Sequence, residues 1–522
     1  MAQGRTWRKV FLYLIVLFVG LGLLSTLPLF GNKRLNRFQS QFKDKPPYKF
    51  PPGFLWGTAT AAQQIEWQSP SDWTAFENRA FRKKLVAHDS KGHPLPGNIH
   101  NLDKMSLKAR TRKSDFDTRY KSDIALMAKM GHNSYRFSIS WSRLFPKEGQ
   151  TKPSPQGIQF YQNILNTLKQ HKIKPSATLF HFSSPAWLWK KKDGKRGWER
   201  ADALQHFERF VRSVSKAFGA QIHHWCTLNE PMVFVYNGYM QGFFPPNEKR
   251  PDPSMVAGVV VQLLKAHTLA YQILKADAKQ RGIKIEVGLT KHTRAFEPYR
   301  NYNALDRITA QLVEKSFVWD FMEALHTGVL KVTNTSFKQE IPGLKGTQDY
   351  VGVNYYGRFY VKSDILKPTK FTIFDSDPSD KRELTSDLGW SLYPHGMYNV
   401  LVEMHKRYKK PIYVLENGIA DKQGKDKLRQ HFLVTHLKEV WNAIHHGKVD
   451  VRGFFYWSFL DNFEWAEGFG PRFGLVHVNY NKDFARTPRS SAALFTQIIR
   501  ANAISTKLWK THHNLKPSDI KQ

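Results

Sequence analysis

Eight apolar, β-branched or aromatic runs of strand length recur along residues 50–500, beginning near Phe54, Asn133, Pro175, His223, Ile285, Tyr350, Ile412 and Arg452. Most are separated by stretches with helical periodicity, the mark of repeated βα units. Eight such units favour a closed parallel barrel over an open sheet, so the expected fold class is α/β, a (β/α)8 TIM barrel. The clearest crossover helix lies between the third and fourth runs, where Leu204, Phe207, Phe210, Val211, Val214 and Phe218 recur at helical spacing. Gly219 follows where a C-terminal cap belongs. Further helices are read at 158–168, 256–275, 310–325, 397–408 and 427–444. A chain of 522 residues accommodates such a barrel as one domain, here placed at 47–505 after a linker at 31–46. The polar stretch 78–119 is too long for an ordinary βα loop and is expected over the barrel mouth, where barrel function sits. Residues 506–522 are polar and read as a loose tail.

Residues 1–9 form a basic tail carrying Arg5, Arg8 and Lys9, and residues 10–30 (VFLYLIVLFVGLGLLSTLPLF) hold no charge. That is the length of a transmembrane helix, about 20 residues. The stretch exceeds the usual apolar core of a signal peptide and no small-x-small cleavage site follows. An N-terminal membrane anchor is therefore expected ahead of a cleaved signal or a buried helix. Lys33, Arg34, Arg37, Lys43 and Lys45 on the far flank would place the large domain in the cytoplasm. A short basic N-terminus before one apolar helix is equally the pattern of exported domains, and both sides stay open.

Lysine and arginine total 79 against 43 acidic residues, a formal charge of +36 that attracts polyanions. The charge is spread along the chain without a nucleic-acid-binding motif, which speaks for a solvated basic surface and against a specific nucleic-acid partner. Cys226 is the only cysteine, so no intramolecular disulfide forms, and its apolar surroundings indicate packing. The histidines lack metal-site spacing. Neither metal nor cofactor is expected, and no feature sets the oligomeric state.

Two acids stand at matching places. Glu230 ends the run 223–229 and is followed by Pro231, which stops the strand; Glu416 ends 412–415 and is followed by Asn417 and Gly418. Both should project from the C-terminal rim of the barrel, across one pocket. Hydrolysis of a glycosidic acetal uses such a pair, one to protonate the leaving oxygen and one to stabilise the cationic ring. An isolated glutamate at a strand end is more often a surface or capping residue, so the pairing carries the argument.

Around these residues the chain resembles a known family. CTLNEP looks like the acid/base motif of glycoside hydrolase family 1 and YVLENG like its nucleophile motif. FPPGFLWGTATAAQQIE, YRFSISWSRLFP and GFFYWSFLDNFEWAEGFGPRFGL resemble its first, second and last strand blocks. The resemblance implies a retaining exo-β-glycosidase that removes terminal β-D-glucosyl or β-D-galactosyl residues by double displacement. Glu230 would be acid/base and Glu416 nucleophile, with the carboxyls about 5 to 5.5 Å apart. It places Arg136 and Tyr356 against the nucleophile, where they would keep Glu416 ionised while Glu230 stays protonated. It assigns Gln64, His181, Asn229, Asn354, Glu464, Trp465 and Phe473 to the sugar site, with Trp457 as its stacking floor. Members that cleave 6-phosphosugars carry small and cationic residues where Glu464 stands, so an unphosphorylated glycoside, oligosaccharide or glycolipid is the implied substrate. Departures are Leu415 for Thr or Ser, with consequences for hydrogen bonding behind Glu416; Gln63 for an aromatic residue; Trp67 for Gly, expected to narrow the mouth; and Phe182-Ser183-Ser184 for Trp-Asp-Leu. A transglycosidase using the same intermediate and a non-catalytic, membrane-tethered sugar-binding module are the alternatives; a binding module needs no opposed acid and nucleophile.

Overall fold

The computed structural model describes residues 42–83, 98–364, 366, 370–422 and 426–520. The segment 10–30, read above as a transmembrane helix, lies outside them. Eight parallel strands close into a ring: β1 Leu55–Ala59, β2 Ser134–Ser138, β3 Lys174–Phe180, β4 His224–Asn229, β5 Glu286–Pro298, β6 Tyr350–Ser363, β7 Ile412–Asn417 and β8 Val451–Trp457. Each pairs with the next, β5 with β6 and β6 with β7 included, and β8 pairs with β1 from Gly453↔Leu55 to Trp457↔Ala59. Every strand begins within one residue of its sequence-based start. Phe371–Phe374 adds an antiparallel strand to the outer end of β6.

The helix Ala203–Phe218 shows why the barrel holds. Phe207, Phe210, Val211, Val214 and Phe218 form its inward stripe, all fully buried, and the rings of Phe207 and Phe210 pack on Trp141 with Trp198 beside them. Gly219 ends this helix in a right-handed conformation, φ −55°. Its missing side chain answers close approach and not a left-handed cap: a Cβ there would lie 2.5 Å from the Asp277 carboxylate of the following helix Pro253–Gln280. That helix is, among the described residues, the one long and apolar enough to cross a membrane, and most of its apolar window is buried in the protein.

The helix read at 310–325 is interrupted. Ala304–Glu314 passes into a wide π turn, Lys315–Trp319, and resumes as Asp320–Thr327. The polar tail is also not loose. Thr506–His512 and Pro517–Ile520 are helical; Leu508 is buried, Trp509 packs edge-on against Tyr48, and Leu515 and Ile520 cover Leu392, Ile419, Leu428 and Phe432.

In the described part of 78–119, the Asp72–Arg82 helix and the 98–115 stretch pack beside the loop after β8, with His100 N–H donating to the Ala466 carbonyl. They are joined by a buried ion pair, Lys113 Nζ to Glu77 Oε2 at 2.5 Å, over the Phe463 ring. Breaking a buried pair strands the remaining charge, so Glu77→Ala is expected to lower unfolding free energy by about 3 to 5 kcal/mol. Chemical denaturation followed by tryptophan fluorescence measures it; a loss under about 1 kcal/mol contradicts this account.

Candidate active site

Both glutamate-bearing strands lose regular register just before their acid. On β4 the pairing with β5 shifts between Cys226 and Asn229, and on β7 the pairing with β6 shifts between Val414 and Glu416. Such irregularities re-aim a side chain at a barrel rim. Glu230 then takes a left-handed backbone, φ 44°, between β4 and the short helix Pro231–Val235. Strained backbone of this kind persists where surrounding structure enforces it, and here the Glu230 N–H is held by the Thr290 carbonyl. After Glu416, Gly418 passes so close to β8 that a Cβ would overlap the Trp457 carbonyl.

Glu230 and Glu416 are 6 % and 3 % exposed, and their carboxyls belong to one hydrogen-bonded chain. Arg136, on β2, donates from Nη1 to Glu416 Oε1 (2.6 Å) and from Nη2 to Asn229 Oδ1 (2.7 Å). Tyr356 donates its hydroxyl to Glu416 Oε2 (2.7 Å). Asn354 Nδ2 donates to Glu230 Oε1 (2.6 Å) and lies 3.2 Å from Asn229 Oδ1. Because Arg136 is a donor only, the Asn229 oxygen must face it, which leaves Asn229 Nδ2 to donate to His181 Nε2 (2.9 Å). Burial, with the Arg136 charge adding, holds His181 well below the ordinary histidine value. Its proton therefore sits on Nδ1, which has no protein partner and is ready to donate to a hydroxyl.

Gln64 Nε2 donates to the Phe463 carbonyl (2.8 Å) and approaches Asn462 and Glu464, while its Oε1 is buried without a partner. Trp457 ends β8 with its ring 5.8 Å from that of His181, and Trp465 stacks on the other neighbourhood of His181 at 5.9 Å. Phe473 packs with Tyr356 and Trp390 on the opposite wall. Glu464 reaches solvent with part of its surface, yet burial and the charges of Glu416, Glu467 and Glu230 push its carboxyl well above the usual range. All twelve residues picked out in the sequence thus converge on one rim. A cavity of about 770 Å³ opens at the opposite end of the barrel, among Phe54, Ser134, Lys174, His223, Glu286 and Arg452. It contains neither paired acid, and chemistry belongs to the rim.

Burial pushes Glu416 up to about 7 against the pull of Arg136. Glu230, also raised by burial, is drawn below the ordinary carboxylate value by His292, the Asn354 hydrogen bond and Lys291. The Glu230 charge is one of the influences that raise Glu416, so the protonation of one acid depends on that of the other.

Lys291 and His292 were not singled out in the sequence. His292 Nδ1 lies 3.2 Å from Glu230 Oε1; Lys291 is fully buried, donates to the His292 carbonyl (2.7 Å), and is drawn down to about 7 by burial. The wide turn at 315–319 brings the Phe317 ring 4.4 Å from the Lys291 ammonium. Leu415, a departure from the family pattern, packs against Gly352, and its carbonyl accepts from Arg136 (3.2 Å). Both hydrogen bonds to Glu416 are intact. Gln63 is tied to Ser71, Ser183 and Glu77. Trp67 was expected to narrow the mouth; its hydrogen bonds and cation contact run instead to Asp115, Asp117 and Arg112.

A closed parallel barrel with two acids held at its C-terminal rim defines a barrel glycoside hydrolase. The profile of Glycosyl hydrolase family 1 matches residues 47–504, and the chain belongs to that family. The 1,4-beta-D-glucan glucohydrolase of Thermotoga neapolitana is 31% identical over 481 residues, covering 88% of this chain and 99% of the relative. Beta-glucosidase 13 of Arabidopsis thaliana is 34% identical, covering 86% and 92%. A beta-glycosidase from Pyrococcus horikoshii superposes with a TM-score of 0.75 at 35% identity, covering 90% of this chain and 99% of that one. The Thermotoga maritima beta-glucosidase, solved with deoxynojirimycin, does so at 0.73 and 30%, covering 87% and 99%. The chain is a family 1 glycosidase.

Proposed function

We propose that this glycosidase removes terminal β-D-glucosyl or β-D-galactosyl residues with retention of configuration. The observation that carries the reading is the unequal setting of two opposed acids. Both oxygens of Glu416 are gripped, by Arg136 and Tyr356, while Glu230 faces Asn354 and His292. Arg136 cannot give up its proton, so it is matched to a Glu416 carboxylate. With Glu416 held as the carboxylate by Arg136 and Tyr356, the proton that the leaving oxygen needs is carried by Glu230. Glu416 then attacks the anomeric carbon as the bond to the leaving oxygen breaks, and Glu230 passes its proton to that oxygen. In the second step Glu230, now a base, takes a proton from water, whose oxygen displaces Glu416. His181, Gln64, Asn229 and Glu464 hold hydroxyls, and Trp457 supports the apolar face of the ring. The Thermotoga maritima enzyme has also been solved with galacto-hydroximolactam, which supports the choice of gluco or galacto substrates. Proton NMR of 4-nitrophenyl β-glucoside hydrolysis tests the proposal: β-glucose is expected first, and α-glucose as first product overturns it.

We further propose that residues 10–30 tether the enzyme to a membrane as a single-pass anchor. The chain reaches the barrel from its base, where Tyr48–Lys49 pairs with Ala503–Ile504 ahead of β1. The glutamates lie at the far rim, which favours sugar ends held away from the bilayer over buried glycolipid. Carbonate-washed membranes are expected to retain the full chain and to release residues 42–522; full release of both removes the anchor.

A further inference from the structure

Arg294 follows His292 by two residues on strand β5, at a point where the pairing with β6 shifts between Thr293 and Ala295, an irregularity of the kind that re-aims a side chain at a barrel rim. His292 touches Glu230, and the Arg294 guanidinium lies within electrostatic reach of Glu230 and Tyr356. That is the side on which a leaving group departs once Glu230 has protonated its oxygen. The guanidinium is clamped between the rings of Phe359 and Trp390, 4.3 Å from each, and Trp390 continues through Tyr356 and Phe473 into the pocket wall. Arg294 is only 3 % exposed, and its Nε has no hydrogen-bond partner. Its one anionic contact, Asp375 at 3.4 Å, is longer than the roughly 2.7–2.9 Å of a good charged hydrogen bond. A buried, rigidly stacked guanidinium with an open donor and a loose counter-ion is poised for an anion.

We propose that Arg294 forms an anion-binding leaving-group subsite, so that the preferred substrates are β-glycosides whose leaving group carries a carboxylate, phosphate ester or sulfate ester. This rests on the glycosidase orientation proposed above. The fork of Arg294 receives the anionic oxygens while Trp390 covers the adjoining apolar part of the leaving group. Burial outweighs the pull of Asp375 and Glu230 on the Arg294 guanidinium, and the chain's net charge of +36 draws such substrates toward it.

Calorimetry with non-hydrolysable thioglycosides tests the subsite without requiring turnover. Phenyl 1-thio-β-D-glucoside is compared with analogues bearing a carboxylate, a phosphate ester or a sulfate ester on the ring, on the full protein and on Arg294→Met and Arg294→Lys. At least one anionic probe is expected to bind about tenfold or more tightly than the neutral one, and the best of them names the anion. The ratio should fall to about one in Arg294→Met, persist in part in Arg294→Lys, and shrink severalfold in the wild type between 50 and 500 mM salt, roughly, as screening predicts. A wild-type ratio near one with every anion, or a ratio that Arg294→Met leaves intact, overturns the proposal. Should the Met variant not fold, the wild-type ratio and its salt dependence decide. Failure to cleave the matching O-glycosides overturns the glycosidase orientation alone, because binding is read independently.

Discussion

Glu416→Gly is expected to lower kcat/KM for aryl β-glucosides by on the order of 10⁵-fold, about 7 kcal/mol of transition-state stabilisation. The size follows from what is lost. Without the carboxylate no covalent intermediate can form, and Arg136 and Tyr356, which grip its two oxygens at 2.6 and 2.7 Å, are left facing a hole. The cationic ring that develops in the transition state then meets a guanidinium in place of a carboxylate, which adds repulsion to the missing attraction. The same geometry supplies the control. The vacated space is lined by two anion-seeking donors, so azide should enter it and attack the anomeric carbon from that face. Activity is expected to recover with azide, and the product should be the α-glycosyl azide. Recovery with a β-azide would move the nucleophile elsewhere. Undiminished activity in Glu416→Gly would remove it from the reaction.

Residues that end strands are the ones sequence reads best. Glu230 and Glu416 each close a continuous apolar run and are followed by residues that stop a strand, Pro231 in one case and Asn417-Gly418 in the other. A parallel barrel strand is buried on both faces, so its run is unbroken and its start can be located to a residue. The same property hid His292 and Arg294. Charged residues alternating within a strand suggest a solvent face, and only the register of β5 against β6, with His292 opposite Asn354, brings His292 to the pocket. The wide turn at 315–319 escaped because one extra residue per turn leaves apolar periodicity on both sides unchanged. The tail escaped because Leu508, Leu515 and Ile520 are too sparse to signal a packed face. Gly219 does cap its helix as read, but the close approach by Asp277, distant in sequence, leaves no local trace. Lys291 and His292, which act on Glu230, lie far from both motifs in sequence and escaped for the same cause.

Glu230→Ala should separate the two half-reactions. Proton transfer to a leaving oxygen contributes about 10²- to 10⁴-fold, but a nitrophenolate needs little help, so formation of the glycosyl-enzyme is expected to be only mildly slowed with that substrate. Its hydrolysis has no such escape, because water must be deprotonated by the missing carboxylate. kcat is therefore expected to fall by about 10³-fold, with KM falling alongside it as the intermediate accumulates. Substrates with poor leaving groups should lose the first step as well. Azide, which needs no base, should restore turnover and give the β-glycosyl azide, opposite to the product from Glu416→Gly. The pH profile provides an independent reading. In the wild type the active one-proton state of the pair is lost when the proton leaves at higher pH and when a second is taken up at lower pH, so kcat/KM should be bell-shaped. Removing Glu230 takes away the proton whose loss makes the alkaline limb. It also removes one of the charges that raise Glu416, so that group ionises at lower pH. The alkaline limb should flatten while an acid limb remains. An alkaline limb that survives unchanged in Glu230→Ala would assign the shared proton to another group, and the buried Lys291 ammonium, itself drawn down to about 7, is then the one to replace next.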